Sequence, residues 1–165
     1  MVAEAFTRSI TGTFNVSATT LRRSEYADPL LAEAGLAPAE WIASEFRNAG
    51  LTVRFQEYEV DGRAYRNVIA RRPGTDPRRG GTEIIGAHYD AFEEFPGAND
   101  NASGIAVLLE LARTLPPARP RRSQYFVAFS TEEPPFFGTE GMGSHVFAKD
   151  LHDQGISVDL MVALD

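Results

Sequence analysis

The sequence predicts an α/β fold, a three-layer αβα sandwich around a mixed, mostly parallel sheet. Two observations predict it. From Thr82 onward short apolar runs alternate with stretches of helical period, TEIIGAH, ASGIAVLLELARTL, QYFVAFS, GTEGMGSHVFAKDLHDQG and VDLMVALD. Strands joined through helices pair in parallel and carry those helices on both faces. Ahead of this alternation, VRFQEYEV and YRNVIARR flank Asp61 and Gly62, a hairpin signal that adds antiparallel strands to the sheet.

The first ordered element covers LLAEAGLAPAEWIASEFRNAG. Pro38 suits a first helical turn, Trp41, Ile42, Phe46 and Ala49 share one face, and Gly50 ends the helix. In the hairpin the apolar phase slips from Val53/Phe55 to Tyr58/Val60, which predicts a bulge. Ile105 to Leu115 is an amphipathic helix entered directly from the loop PGANDNASG, and VDLMVALD reads as a buried strand. Two Arg-rich segments, Arg71 to Gly81 and Pro116 to Ser123, are short enough to be solvated connections and receive no role.

The chain has 165 residues, enough for one ordinary domain over 1–165. Lys and Arg number 16 against 23 Asp and Glu, a net charge of −7, which argues against a nucleic-acid surface. A hydrophobic fraction of 43% supports a packed core and excludes wholesale disorder. With 0 Cys, disulfides, thiolate zinc sites and a cysteine nucleophile are excluded together, so His and carboxylates are the metal-ligand candidates. No window approaches 18 apolar residues, and the opening residues lack the basic-then-apolar layout of a secretory leader. The expectation is a soluble chain with no membrane partner, cytoplasmic by default; its oligomeric state is not legible.

In open α/β sheets working residues gather at the carboxyl ends of the strands. Here each candidate strand ends in metal-ligand types: His88 and Asp90 follow Ile84 to Ala87, Glu132 and Glu133 follow Phe126 to Thr131, and Asp165 follows Leu160 to Leu164. Asp90, two residues from His88 in an extended segment, can fix the imidazole tautomer. Asp100 lies in the loop that opens the helix, where an acidic residue serves equally as a helix cap. Glu132 and Glu133 are followed by two prolines that bar an immediate helix. Such a pair is either a solvated acidic surface or a division of labour, one carboxylate facing a cation and the other acting as general base.

Together GAHYD, PGANDNASG and FSTEEPPFFGTEGMGSH resemble the zinc-dependent, two-metal aminopeptidase family, which includes secreted bacterial leucine aminopeptidases and has glutaminyl cyclases and glutamate carboxypeptidases as relatives. The resemblance runs from about Trp41 to Asp165. It implies that His88 binds one zinc ion, that Asp100 bridges two, that Glu133 binds the second, and that Asp165 completes the first. It further implies that Glu132 is the general acid/base, that Asp90 orients His88, and that the Asp100–Asn101 peptide is cis. The implied reaction is hydrolysis of amino-terminal peptide bonds of a peptide substrate by a zinc-bridged hydroxide.

The family takes a final His ligand from a later position, so the chain is expected to be the amino-terminal portion of a larger catalytic domain, truncated after Asp165. His145 and His152, on the helix after Gly143, are expected to be surface residues and no substitute. In the metal-free chain, repulsion and partial burial should raise the pKa values of some of the clustered carboxylates. Two other readings stay open: a glutaminyl-cyclase-like acyltransferase using one zinc, and a scaffold or fragment without catalysis.

Overall fold

The computed structural model describes residues 38–76, 81–92, 97–115 and 120–165. Helix α1, Pro38–Asn48, precedes the strands β1, Thr52–Val60, and β2, Arg63–Arg72. Then follow β3, Thr82–His88; α2, Ser103–Thr114; β4, Ser123–Phe129; α3, Gly143–Asp153; and β5, Val158–Leu164. Pro38 stands in the first turn of the described helix, as expected, and the earlier residues of the expected element, from Leu30, lie outside those described. Among the described residues no helix is long and apolar enough to cross a membrane.

The strand order is β1-β2-β4-β3-β5. β1 and β2 pair antiparallel, as do β2 and β4, whereas β3 pairs parallel with both β4 and β5. The sheet is therefore mixed, with its parallel part at β4-β3-β5. Alternation along β2 and β4 separates two cores. Val68, Ala70, Phe126 and Ala128 face α1 and α2, where Ile42, Phe46 and Leu108 complete the packing. Ile69, Tyr125, Val127 and Phe129 face α3 and meet Phe147 and Leu151. This arrangement is the three-layer sandwich, built by period-2 strands whose two faces are both apolar.

The hairpin forms where Asp61 and Gly62 stand, both with positive φ (51° and 74°), the conformation a two-residue primed turn requires. The expected bulge is absent: pairing runs without interruption from Thr52↔Arg71 to Val60↔Arg63. The phase slip has another cause. The first half of β1 buries Val53 and Phe55 against the α1 core, whereas the second half directs Gln56 and Tyr58 to the opposite face, toward Asn67 and Ser130. The strand stays regular while the layer covering it changes. A Cβ at Gly62 would meet no atom within 4 Å, so the effect of Gly62→Ala is purely conformational. It is expected to cost about 1–2 kcal/mol in urea denaturation.

β5 also departs from expectation. Val158, Leu160, Met161 and Val162 are exposed by 37–49%, so the strand is not buried. Among the described residues β3 is its one strand partner, so it forms one border of the sheet with its outer edge and much of its faces uncovered.

Candidate metal centre

The parallel strands β3, β4 and β5 deliver their carboxyl ends side by side, and His88, Glu132, Glu133 and Asp165 stand at those ends. Asp100 arrives from the irregular turn Ala98–Ala102, between β3 and α2. His88 Nε2 lies 3.0 Å from Asp100 Oδ1, 3.4 Å from Asp165 Oδ1 and 3.8 Å from Glu132 Oε2. Two triads share this imidazole, His88 with Asp100 and Asp165, and His88 with Glu132 and Glu133, the ligand atoms within each lying within 4.8 Å of one another. Residues up to 77 positions apart in the chain thus converge on one nitrogen.

His88 and Asp90 are buried, whereas the side chains of Asp100 and Asp165 are 65% and 76% exposed. The cluster is a surface cup with the imidazole at its floor. His88 Nδ1 faces the Asp90 carbonyl oxygen at 3.2 Å and Asp90 Oδ1 at 3.4 Å. Both are acceptors, which assigns a proton to Nδ1 and turns Nε2 toward the carboxylates. Asp90 Oδ1 is buried without a hydrogen-bond partner, so a small ring rotation would complete the tautomer-fixing bond expected of Asp90. Its other oxygen, Oδ2, accepts the Glu133 backbone N–H at 3.0 Å, a tie between two loops that the sequence did not disclose.

Asp100 is not the helix cap. Asn101 takes that role, its Oδ1 accepting the Gly104 N–H at 2.8 Å, while its Nδ2 donates to the Leu164 carbonyl at 2.7 Å. A Cβ at Gly104 would stand 2.1 Å from Asn101 Oδ1, so glycine is what admits this amide. With capping assigned to its neighbour, Asp100 is released toward His88. The Asp100–Asn101 peptide is cis, as the resemblance implied, and so is Pro134–Pro135. His145 and His152 are exposed on α3 and belong to neither triad.

Burial alone pulls the His88 imidazole down, but the adjoining Asp90 carboxylate, with Glu132 and Asp100, more than reverses this and raises its pKa to about 9. Glu132 and Glu133 are raised as well, chiefly because burial disfavours their charged forms; neighbouring carboxylates add to the effect and His88 opposes it. The sign for stability follows. A histidine whose folded pKa exceeds its ordinary 6.5 stabilises the fold fully below pH 6.5, and that contribution disappears as pH rises through about 9. Carboxyls held above their ordinary values act in the same direction. The metal-free chain is therefore expected to lose stability on going alkaline, with an NMR titration of the His88 ring centred near 9; a midpoint below 6.5 would contradict the assigned contacts.

The donor set fits a divalent ion: one imidazole nitrogen with an orienting carboxylate behind it, and hard oxygens from four further side chains. Solved structures share this architecture. A glutaminyl cyclase of Porphyromonas gingivalis aligns with a TM-score of 0.64 and 26% identity, over 88% of this chain and 56% of its own. Among curated relatives, the uncharacterized protein YfbL of Escherichia coli is 42% identical over 135 residues, 77% of this chain and 40% of its own. Aminopeptidase YwaD of Bacillus subtilis is 32% identical over 94 residues, 57% of this chain and 21% of its own. The chain thus spans well under half the length of these curated relatives. Peptidase family M28 matches residues 67–165, more than half of the chain and every residue of the cup, and the chain belongs to that family.

Proposed function

We propose that the chain carries the zinc-binding and proton-transferring residues of a metal-dependent exopeptidase that hydrolyses amino-terminal peptide bonds. The observation that carries this reading is the convergence of His88, Asp100, Asp165, Glu132 and Glu133 at the ends of three adjacent parallel strands. His88, Asp100 and Asp165 would hold one ion, and Asp100 with Glu133 would face a second. Among the described residues the donor set for the first is fuller. Bound zinc supplies Lewis-acid polarisation of the scissile carbonyl and lowers the pKa of water in the site.

The remaining work falls to side chains. Glu132, half-buried beside the cluster, takes the proton of the attacking water at its carboxylate and returns it to the leaving amine. Asp90 holds Nδ1 protonated, so that Nε2 presents its lone pair once it has lost its own proton. Because the free imidazole has a pKa of about 9, ligation near neutral pH displaces a proton from it. The acidic cup favours a substrate with a cationic free amine over one ending in a carboxylate.

A second reading, a one-zinc cyclase, is favoured by the likeness to the Porphyromonas gingivalis structure. Zinc calorimetry of the chain, repeated in buffers of different ionisation enthalpy, is expected to show one tight ion and proton release. Hydrolysis is then assayed on an aminoacyl anilide and its N-acetylated form, together with a peptide beginning in glutamine whose product is weighed. Cleavage confined to the free amine supports the exopeptidase, loss of ammonia without chain cleavage supports the cyclase, and absence of zinc binding overturns both.

A further inference from the structure

We propose that Asn67, on a strand that contributes no ligand, is the positioning residue that sets the loop carrying Glu132 and Glu133. The inference rests on the metal-site reading above. Asn67 sits in β2 between Arg66 and Val68, fully buried. Its Nδ2 donates to Gln56 Oε1 at 2.9 Å and to the Gly143 carbonyl at 2.8 Å, while its Oδ1 accepts the Ser130 N–H at 3.0 Å. Gly143 N–H in turn donates to the Ser130 carbonyl at 2.9 Å. One amide thereby pins both ends of the segment 130–143, and Glu132 and Glu133 follow immediately after the first pinned residue.

The pin works against local preference. Thr131, between Ser130 and Glu132, has φ 55°, a left-handed conformation that a β-branched residue adopts only under constraint from its surroundings. Its Oγ1 contacts the Tyr58 hydroxyl at 2.7 Å and donates to the Gly141 carbonyl at 2.8 Å, which adds a second tether inside the first. With both tethers closed, the Glu133 N–H reaches Asp90 Oδ2. The loop bearing two carboxylates is thus registered against the loop bearing His88.

Only an amide of this length fulfils the role. Aspartate has no donor for the two oxygens that Nδ2 satisfies and would set a carboxylate against the Gly143 carbonyl. Leucine leaves the Ser130 N–H without its acceptor and removes the side-chain bond to the Gly143 carbonyl. Space is exhausted on the far side, where a Cβ at Gly143 would stand 2.3 Å from Asn67 Oδ1 and 2.3 Å from the Ser130 carbonyl oxygen. Glutamine, one methylene longer, has nowhere to place its head.

The test is amide hydrogen exchange on the metal-free chain followed by zinc calorimetry, comparing wild type, Asn67→Asp and Tyr58→Phe, with Gly62→Ala as a destabilised control remote from the clasp. In the wild type the Ser130 amide is expected to exchange as slowly as its neighbours in β4. Asn67→Asp is expected to speed exchange across 130–143 by about 10-fold or more relative to α2, and to weaken zinc binding by about 3- to 10-fold, less than a residue bonded directly to a ligand, because it acts through the Glu133 N–H to Asp90 tie behind His88. Tyr58→Phe is expected to act in the same direction and less strongly, whereas Gly62→Ala should alter neither loop-specific exchange nor zinc affinity.

A Ser130 amide exchanging as fast as those of Thr139 and Glu140 overturns the proposal without any variant. So does Asn67→Asp with loop exchange and zinc affinity within twofold of wild type. Should Asn67→Asp fail to fold, Tyr58→Phe and the wild-type Ser130 rate decide. If the wild-type chain binds no zinc, the metal-site reading fails while the exchange data still decide the clasp.

Discussion

His88→Ala abolishes zinc binding by the chain, an expected loss of more than about 100-fold in affinity and therefore beyond what an orienting partner accounts for. The reason is geometric. Both candidate triads contain His88, and its Nε2 is the one nitrogen among their ligand atoms. Removing it leaves carboxylates on separate loops, of which Glu132 and Glu133 are already raised, chiefly by burial and further by their acidic neighbours. Asp90→Asn provides the contrast, since it leaves every ligand atom in place and disturbs only the ring's orientation and the Glu133 N–H bond. It should weaken zinc by about 10- to 100-fold. Calorimetry on both variants, with melting temperatures measured under chelation, separates ligand loss from misfolding. Near wild-type affinity in His88→Ala would mean that the carboxylates alone bind the ion and that the assigned site is wrong.

Glu132→Gln carries the second large effect: under the proposed exopeptidase reading, kcat for amino-terminal hydrolysis is expected to fall about 10²- to 10⁴-fold, the range for a general base, with KM little changed. Glu132 Oε2 is 3.8 Å from His88 Nε2, against 3.0 Å for Asp100, and its carboxyl is half-buried with a raised pKa. A raised pKa suits a group that must accept a proton and release it again. Glutamine keeps the shape but has no basic oxygen, so the zinc titration should match that of the wild type. If zinc affinity falls in parallel with the rate, Glu132 acts as a ligand in the triad with His88 and Glu133, and the base lies elsewhere.

Much of this was legible in the sequence, for physical reasons that differ between elements. The strand ends were readable because apolar runs stop abruptly at His88, Glu132 and Asp165, and parallel strands bring such ends together. The hairpin was readable because Asp61-Gly62 tolerates the positive φ it adopts. What escaped depended on partners distant in sequence. The slip in β1 looked like a bulge because a period-2 pattern cannot say that the two halves of a strand are covered by different layers. Asn67 and Asn101 are single amides in otherwise unremarkable contexts. Their importance lies in backbone groups 63 to 76 residues away, which no local pattern announces. VDLMVALD read as a buried strand from its composition, but burial is a property of neighbours, and β5 has one neighbouring strand among the described residues.

The bond from Asn101 Nδ2 to the Leu164 carbonyl couples two oxygens of the cup that arise from different ends of the chain's second half. Asp100 precedes the donor residue and Asp165 follows the acceptor residue, so a single crosslink of 2.7 Å yokes both carboxylates. Their separation should consequently fluctuate far less than their high exposure suggests. Adaptation to ions of different radius would then fall to side-chain torsions of Glu132 and Glu133, whose backbone is itself held by the Asn67 clasp.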